Sequence, residues 1–426
     1  MNTSSWPTGL PANLHTHLPT HLPTHLPKTC DVLVIGAGPA GSACAQALAR
    51  GGQQVLLVDQ HNFPRDKVCG DGLIPDTHAA FKRLNVHDEV AALATPVQHV
   101  RCVGPRGGHV DVPGTLSVLP RKTLDHILVR AAEQAGVRLL TPLRFEAPLL
   151  DGDRVVGARF RTDDGPHEIH ARWVVLATGA VPQGLMAAGL CERQAPSGIA
   201  LRGYVRNPAL VGQITQLQIV WHPRLRGGYG WIFPAPGGLF NIGTGMTGSP
   251  AAESGKGRIG KLNLRQMFDT FCAVYAPAAA LMQGGELQGE IKGAPLRCSL
   301  RGAQLSRPGL LVAGEAAGTT YAFSGEGIGK AMESGLLAAE ALLHDVHAPS
   351  ATVQQHYAAG MQTLAPQFKL YDTASGINEH PWLADLVIWR ARRSPRILAR
   401  LAGVLEETQN PGRLFSLRGV RKLMFE

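Results

Sequence analysis

The stretch from Cys30 to Gln60, CDVLVIGAGPAGSACAQALARGGQQVLLVDQ, predicts a buried β-strand, a tight turn, an α-helix and a second buried strand. Glycines in the pattern GxGxxG stand where the first strand passes into the helix, and they allow backbone amides to approach a pyrophosphate at the positive end of that helix. Asp59 follows the second strand, where a carboxylate can accept hydrogen bonds from a ribose. A purely structural glycine-rich turn does not explain that acidic residue, so the stretch predicts a dinucleotide site. Its expected contacts are Gly36, Gly38, Pro39, Ala40, Gly41 and Asp59.

Length and charge narrow the class of protein and partner. The chain has 426 residues, 44% of them hydrophobic and 17% charged, which suits a globular protein of two or three domains. Its formal net charge of +9 favours anionic partners, namely phosphorylated small molecules or lipid headgroups. No nucleic-acid-binding motif is present, so nucleic acid is not an expected partner.

The N-terminus and the cysteines bear on compartment and metal binding. No run approaches the roughly 20 apolar residues of a membrane span, and no secretory signal is apparent. Seven irregularly spaced cysteines without a CxxC pair predict neither a disulfide framework nor a zinc site, so a cytoplasmic location is expected. HTHLPTHLPTHLP repeats four histidines, which suggests metal binding, but a proline-spaced repeat cannot build a core. We predict a disordered tail and no metal site.

Later segments predict two further regions. Apolar spacing in RKTLDHILVRAAEQAGV, from Arg121, predicts a helix, and alternating segments between about Ile199 and Gly245 predict an antiparallel sheet. GLLVAGEAAG, from Gly309, predicts another buried strand before a long helix. The expected fold is α/β with an α+β substrate domain. The predicted divisions are 1–29 (tail), 30–195 with 300–345 (dinucleotide-binding domain containing small substrate-domain elements), 196–299 (antiparallel-sheet substrate domain) and 346–426 (basic helical region).

The segment from Gly314 to Gly335, GEAAGTTYAFSGEGIGKAMESG, indicates which dinucleotide to expect. It resembles the second flavin-contacting segment of FAD enzymes of the p-hydroxybenzoate hydroxylase class, which have a Rossmann-like FAD domain of the glutathione reductase type. In that class an acidic residue after a glycine binds the ribityl chain; here Glu315 stands where aspartate is usual. Arg121 matches an arginine that the class directs at the cofactor. The resemblance implies FAD, contacted here by Gly314, Glu315, Gly318, Gly325, Glu326, Gly327 and Ile328.

The loop from Pro64 to Leu73, PRDKVCGDGL, points to a narrower group. It is similar to the PRxKxCGxxL segment of the geranylgeranyl reductase family of flavoproteins, and GYGWIFP, from Gly228, is similar to that family's YxWxFP motif. RGYV, NIGTG and SGEGI fit the same pattern, so the resemblance covers about Cys30 to Asp345. Two residues depart from it: Thr178, in LATGA, and Glu315 both stand where the family has aspartate.

By this resemblance, several side chains lie near the flavin. Lys67 could stabilise the negative charge of the reduced flavin, and Cys69 could control proton delivery or substrate access. Tyr229 and Trp231 alternate on a strand, so both face one side of a sheet and could wall a long apolar pocket. The alternatives are a surface lysine, a small buried thiol and ordinary core aromatics. Arg65, in the same loop, is a further expected cofactor contact.

The family implies saturation of C=C bonds in isoprenoid chains by hydride transfer from reduced flavin. Two other functions stay open: a flavin monooxygenase acting on an apolar or aromatic substrate, and an electron carrier that serves a quinone or a partner protein. The WxWxIP motif of flavin halogenases is absent. NAD(P)H is the expected electron donor, with ferredoxin or a quinol as alternatives, because no second dinucleotide motif is visible.

The C-terminal region is basic. PWLADLVIWRARRSPRILARLAGVLEE predicts two helices broken near Pro395, and from Asn378 to Glu426 nine Arg and Lys against five Asp and Glu give a net charge of +4. A basic amphipathic helix can lie on an anionic membrane, which would place the protein peripherally on the inner face. The alternative is a helix packed on the core with a solvated basic face.

Overall fold

The computed structural model describes residues 26–162, 164–191, 194–225, 227–248, 262–344 and 347–407. The histidine repeat of the predicted tail lies outside these residues. The strands are β1 (Thr29–Ile35), β2 (Val55–Val58), β3 (Gly72–Leu73), β4 (Thr95–Val103), β5 (His109–Val118), β6 (Arg138–Leu140), β7 (Arg144–Asp151), β8 (Arg154–Thr162), β9 (Gly165–Leu176), β10 (Gly198–Arg206), β11 (Leu217–Trp221), β12 (Tyr229–Ala235), β13 (Leu239–Thr247), β14 (Glu286–Leu296), β15 (Ser306–Arg307) and β16 (Leu310–Val312). The helices are α1 (Pro39–Arg50), α2 (Pro75–Arg83), α3 (His87–Leu93), α4 (Arg121–Gln134), α5 (Gln183–Ala187), α6 (Leu264–Val274), α7 (Ala276–Gly284), α8 (Ile328–His344), α9 (Ser350–Ala374), α10 (Gly376–Glu379), α11 (Trp382–Ala391) and α12 (Pro395–Leu405).

The first sheet is the nucleotide-binding layer. Its strands run in the order β15-β16-β9-β1-β2-β6, with β8 and β7 added beyond β9. β1 pairs in parallel with β2, Val32 opposite Val55, and with β9, Val32 opposite Trp173. Apolar runs such as VLVI and VLLV are buried along their whole length, as expected for parallel strands covered on both faces. The predicted strand, helix and second strand at the start of the domain are confirmed.

The second sheet runs in the order β14-β10-β13-β12-β11-β4-β5-β3. Its pairs are antiparallel except β11 with β4, which confirms the antiparallel sheet expected between about 199 and 245. Three of its strands, β3 to β5, precede residue 119. In sequence they lie between β2 and β6, which both belong to the first sheet. The domain divisions at 195, 299 and 345 stay a prediction.

Helix α8 packs tightly on α1 and brings the second glycine-rich segment to the first. A Cβ on Gly335, in α8, would lie 2.2 Å from the carbonyl oxygen of Ala40 in α1. Only glycine therefore permits this approach. The two glycine-rich segments, about 270 residues apart in sequence, meet at one face of the sheet.

The C-terminal helices pack against the second sheet. Side chains of α11 and α12, including Ile388 and Ile397, share one buried cluster with Val110 and Val112 of β5. A break near Pro395 is confirmed: α12 begins there, and the Ser394 side chain accepts a hydrogen bond from the Ile397 amide at 3.4 Å. Among the described residues, no helix combines the length and the apolar character that crossing a bilayer requires.

Candidate active site

A cavity of about 1070 Å³ lies between the first sheet, the second sheet and the C-terminal helices. We define two sections of its wall. The polar part is lined by Gly36, Gly38, Pro39, Ala40, Asp59, Arg65, Lys67, Arg121 and Thr178. The apolar part is lined by Val110, Val112, Ile219, Trp221, Phe233, Val387, Ile388 and Leu401. The other predicted residues on the wall are Cys69, Tyr229, Trp231, Glu315, Gly325, Glu326, Gly327 and Ile328. Gly41, Gly314 and Gly318 are not on the wall and shape the turns next to it.

The first glycine motif accepts only glycine at two of its three positions. Gly36 has a φ of +106°, and a Cβ there would lie 2.3 Å from the carbonyl oxygen of Ala177. A Cβ on Gly41 would lie 1.8 Å from the carbonyl oxygen of Gly36. A Cβ on Gly38, in contrast, would meet only the Nη2 of Arg65, at 3.7 Å. The start of α1 is therefore open towards the cavity at Gly38, as pyrophosphate binding requires.

Asp59 is held as an ionised acceptor beside that helix start. Its Oδ2 accepts a hydrogen bond from the Ala37 amide and its Oδ1 accepts one from the His61 amide, both at 2.9 Å. Burial acts to raise the pKa of Asp59, but hydrogen bonding to His61 and the charge of Arg65 outweigh burial, and the pKa lies below its usual range. The carboxylate lines the cavity, where it can accept hydrogen bonds from ribose hydroxyls.

The two predicted arginines share a buried acid that sequence reasoning missed. Arg121 donates from Nε and Nη2 to the two carboxylate oxygens of Asp125, at 2.6 and 2.9 Å. Arg65 Nη1 lies 3.0 Å from Asp125 Oδ2. One carboxylate between two guanidinium groups fixes their orientation and leaves positive charge at the wall. The four-residue spacing of Arg121 and Asp125 on α4 was the available signal.

The second glycine-rich segment turns sharply beside the cavity. Gly314, Gly318 and Gly325 have φ values of 67°, 87° and 72°. A Cβ on Gly314 would lie 2.6 Å from the Cβ of Ala40, so this turn rests on the start of α1. The segment thereby brings Gly325, Glu326, Gly327 and Ile328 to the wall.

Glu315 is engaged by the protein itself. Its Oε1 accepts hydrogen bonds from the Arg297 amide and the Thr320 hydroxyl, both at 3.3 Å. Its Oε2 lies 3.8 Å from the Nζ of Lys67. The longer acid therefore links the loop that carries Lys67 to the second glycine-rich segment, and it still lines the cavity.

The loop that carries Cys69 is fixed by a buried network. Asn241, on β13, donates from Nδ2 to the Cys69 carbonyl and to Asp71 Oδ2, both at 2.8 Å. Asp71 Oδ1 accepts from the Arg121 amide at 3.3 Å, and the Tyr204 hydroxyl donates to Asp71 Oδ2. Sequence reasoning singled out none of Asp71, Tyr204 and Asn241. The motifs GDGL, RGYV and NIGTG contained them.

This network also sets protonation in the loop. Burial, helped by the nearby charge of Asp71, raises the pKa of the Cys69 thiol, so the thiol is neutral near pH 7. Burial raises the pKa of Asp71 to about 6, although hydrogen bonds from Tyr204 and Asn241 act in the opposite direction. The Asp71 amide donates to Cys69 Sγ at 3.4 Å. The loop therefore presents a neutral thiol to the cavity.

Tyr229 and Trp231 are buried in β12 and line the cavity, so they are core aromatics and pocket wall at once. Their ring centroids lie 6.2 Å apart. The Tyr229 hydroxyl donates to the Ser324 carbonyl at 2.6 Å, and Trp231 Nε1 donates to Asn241 Oδ1 at 2.9 Å. A Cβ on Gly243, opposite Trp231, would lie 2.3 Å from the indole, so that glycine leaves room for it.

A residue of the C-terminal region, Asn378, also positions aromatic side chains of the cavity wall by hydrogen bonding. Asn378 accepts a hydrogen bond from Trp221 Nε1 at 2.8 Å and donates to the Phe323 carbonyl at 3.0 Å. The rings of Trp221 and Phe323 stack at 6.1 Å with an angle of 9° between their planes. No pattern near Asn378 predicted this role, because its partners are distant in sequence.

The polar part fits FAD. The Thr178 hydroxyl lines the cavity and is buried without a hydrogen-bond partner among the described residues, so a polar ligand atom could satisfy it. Near it stand the open helix start at Gly38, the ionised Asp59 and the paired arginines. This combination suits phosphates and ribose hydroxyls of a dinucleotide.

Comparison with known proteins agrees with this geometry. A family model described as FAD binding domain matches residues 29–198. The solved structure of a geranylgeranyl bacteriochlorophyll reductase-like protein from Thermoplasma acidophilum superposes with a TM-score of 0.69 at 21% identity, covering 94% of this chain and 96% of that one. Fold and site thus define an FAD-dependent oxidoreductase of the p-hydroxybenzoate hydroxylase-like class.

Two relatives identify the family within this class. Menaquinone reductase of Mycolicibacterium smegmatis is 31% identical over 354 residues, covering 78% of this chain and 81% of the relative. Digeranylgeranylglycerophospholipid reductase 1 of Methanopyrus kandleri is 29% identical over 312 residues, covering 73% and 79%. The chain belongs to the geranylgeranyl reductase family, which confirms the resemblance stated from its motifs.

Proposed function

We propose that the protein uses FAD to reduce C=C bonds in an isoprenoid or similarly long apolar substrate. The observation that carries this proposal is that one cavity joins a wall suited to FAD with a wall of aromatic and aliphatic side chains. The names of the two relatives specify a geranylgeranyl-bearing glycerophospholipid and a quinone. Both kinds of substrate combine a polar headgroup with apolar structure, which suits this cavity, and the phosphate of the glycerophospholipid also suits the basic charge of the chain.

Bound FAD, once reduced, supplies hydride. An isolated alkene is weakly polarised, so its two carbons must be held where hydride and a proton can both arrive, away from water. The side chains of Trp221, Trp231 and Phe233 exclude water and hold the apolar chain. Cys69, a neutral thiol on a fixed loop, controls proton delivery or substrate access. Lys67 offsets negative charge that develops on the reduced cofactor.

The electron donor we propose is NAD(P)H, which would bind transiently. Anaerobic stopped-flow mixing of the oxidised protein with NADPH, NADH, reduced ferredoxin or a quinol tests this assignment. Bleaching of the flavin absorbance by a nicotinamide, faster than by ferredoxin, is the expected result. Reduction by ferredoxin or a quinol alone would contradict it.

We also propose that α11 and α12 contact an anionic membrane. Trp382 and Trp389, seven residues apart on α11, are 60% and 46% exposed. Arg393 and Arg390 lie over the Trp389 ring, with guanidinium carbons 4.6 and 5.5 Å from its centroid. Tryptophan favours the interfacial region and arginine favours anionic headgroups. The opposite face of α11 lines the cavity, so a lipid substrate would have a short path to it.

Vesicle flotation tests the membrane contact. The double variant Trp382→Ser/Trp389→Ser should lose binding to vesicles that contain phosphatidylglycerol, and wild-type protein should not bind neutral phosphatidylcholine vesicles. Val211→Ser, at another exposed apolar residue outside the C-terminal helices, is the matched control. Equal flotation of the double variant and wild type would contradict the assignment.

An anaerobic single turnover tests the function itself. The photoreduced protein is mixed with geranylgeranyl-chain lipids or with menaquinone, while flavin absorbance and product mass are followed. We expect flavin reoxidation with a gain of two hydrogens in the isoprenoid chain. Two other flavin-dependent functions, both open to this fold, give different results. Reoxidation only after oxygen is admitted, with an oxygen atom added to the product, would indicate a monooxygenase, and reduction of the quinone ring alone would indicate an electron carrier.

A further inference from the structure

A cluster of charged side chains lies behind the second glycine-rich segment. Lys330, on α8, is 4% exposed at its side chain, and its Nζ lies 2.8 Å from carboxylate oxygens of both Glu333 and Glu407. The same Nζ is 3.7 Å from Asp76 Oδ2, on α2. Glu326 lines the cavity and interacts electrostatically with Asp76, Glu407 and Lys330. Three carboxyl groups therefore lie within 3.7 Å of one ammonium group, and a fourth, Glu326, interacts with it electrostatically.

Such a cluster retains protons at neutral pH. One positive charge cannot balance four carboxylates in buried surroundings, so at least one acid stays neutral. Burial, followed by the charge of Asp76, raises the pKa of Glu326 to about 8. The Ser324 hydroxyl and Lys330 act to lower it, whereas Glu407 raises it. The other titratable groups facing Glu326 are the phenols of Tyr229 and Tyr371.

Glu326 differs from three other acids on the cavity wall, Asp59, Asp71 and Glu315. Asp59, Asp71 and Glu315 each accept at least two hydrogen bonds from amide, amine or hydroxyl donors, as described above. Burial acts to raise the pKa of Asp59 and of Asp71, and hydrogen bonds act to lower it. The neutral carboxyl of Glu326 instead has a proton that it can give, and it lies near Tyr229, as Cys69 does.

A chain of polar groups leads from solvent into the Lys330 cluster, with which Glu326 interacts electrostatically. Glu333, one turn along α8 from Lys330, has a 35% exposed side chain. Lys330 bonds both Glu333 and Glu407, and Glu407 also accepts a hydrogen bond from the Tyr321 hydroxyl at 2.8 Å. Protons from water at Glu333 can therefore reach the cluster without crossing the apolar wall.

We propose that Glu326 is the proton donor of this site and that the Lys330 cluster returns protons to it from the surface. The inference rests on the proposed reductase function. As the O–H bond of Glu326 breaks, the π electrons of the alkene form a new C–H bond at one carbon, and the other carbon takes the hydride that reduced FAD supplies. Glu326 is left as a carboxylate and regains a proton from water through the cluster. Cys69 then governs substrate access.

The first test compares Glu326→Gln with wild type in the anaerobic single turnover. Glutamine keeps the size and neutrality of the side chain but cannot donate a carboxyl proton. We expect FAD occupancy to be retained and the rate of alkene reduction to fall about 100-fold. The wild-type rate should decline as pH rises through about 8, because only the protonated acid donates, and the variant should lack that decline. Glu326→Asp should recover part of the rate.

Glu340→Gln is the matched control, since Glu340 lies on the exposed side of the same helix and pairs with Arg83. It should leave rate and pH profile unchanged. Glu333→Gln should slow repeated turnover and enlarge its solvent deuterium isotope effect. A Glu326→Gln variant with the wild-type rate and pH profile would overturn the proposal.

Infrared spectroscopy supplies a readout that does not depend on turnover. Resting wild-type protein should show a carboxylic acid C=O band that disappears as pH rises through about 8 and that is missing in Glu326→Gln. This band decides the protonation of Glu326 even if the variant loses FAD. A wild-type protein without such a band would also overturn the inference. A protein that shows the band but reduces no lipid would instead contradict the proposed function.

Discussion

The polar and apolar parts of the cavity are built in opposite ways. The polar part depends on backbone: the turn at Gly36, the open helix start at Gly38 and an amide that fixes Asp59. The apolar part depends on side-chain volume contributed by β5, β11, β12, α11 and α12, from Val110 to Leu401. Cofactor binding is therefore set by a few local turns, while substrate fit is set by many distant residues. Substrate fit can therefore change without a change in cofactor binding.

Gly38→Ala is the strongest test of the claim that cofactor binding depends on the local turn at the start of α1. Inside the protein the added methyl group meets only Arg65, so the fold should be retained, but the methyl would occupy the side of the helix start that a pyrophosphate approaches. We expect FAD affinity to fall about 100-fold, or ~2.7 kcal/mol, measured by flavin fluorescence titration of the apoprotein.

Two controls bracket that result. Gly376→Ala lies in open space without an unusual φ and should bind FAD normally, whereas Gly41→Ala should fail to fold because of its contact with the Gly36 carbonyl. Normal FAD affinity in Gly38→Ala would show that the cofactor does not approach this turn.

The same contrast explains how much the sequence could predict. A glycine turn and the acid after the next strand are local patterns, so the fold and most of the polar part were predictable from them. Asn241 is different: it bonds Asp71 across 170 positions of sequence, and nothing local to either residue indicates the pairing. Trp221 and Asn378, 157 positions apart, are a second example. Family resemblance found the segments that hold Asp71 and Asn241 but not the bond that joins them, and it did not extend to Asn378.

Asn241→Ala tests the buried hydrogen bonds that join Asn241, on β13, to the loop that carries Cys69 and Asp71. The substitution leaves Trp231 Nε1, the Cys69 carbonyl and Asp71 short of a partner, in buried surroundings. We expect unfolding free energy to fall by ~2 kcal/mol in denaturant titrations. Gln213→Ala, which removes an exposed side-chain bond to the Ala209 carbonyl, should cost less than ~0.5 kcal/mol. Equal losses in the two variants would mean that the network does not hold the loop.

Val387→Phe tests whether the apolar part alone sets substrate fit. Val387 lines the cavity from α11, so a larger side chain should shorten the space available to an apolar chain. We expect kcat/KM to fall about tenfold, ~1.4 kcal/mol, for a four-isoprene lipid and little for a two-isoprene analogue, with FAD affinity unchanged. Leu386→Phe, at the neighbouring residue that does not line the cavity, is the control. A parallel loss of both substrates would contradict a length-selecting role.

The smallest expected effect is that of replacing Lys67, the residue of the polar part that we propose offsets the negative charge of the reduced flavin. Its Nζ lies 3.8 Å from Glu315, so part of its charge is already balanced, and the side chain is partly exposed to screening water. Lys67→Met should therefore lower the flavin midpoint potential by only ~20 mV, equivalent to ~1 kcal/mol for two electrons. Spectroelectrochemical titration measures this shift, with Lys82→Met, an exposed lysine on α2, as the control. An unchanged potential would indicate that the start of α8, and not Lys67, stabilises the negative charge of the reduced flavin. The glycine-rich turn would then serve both to bind the cofactor and to favour its reduction.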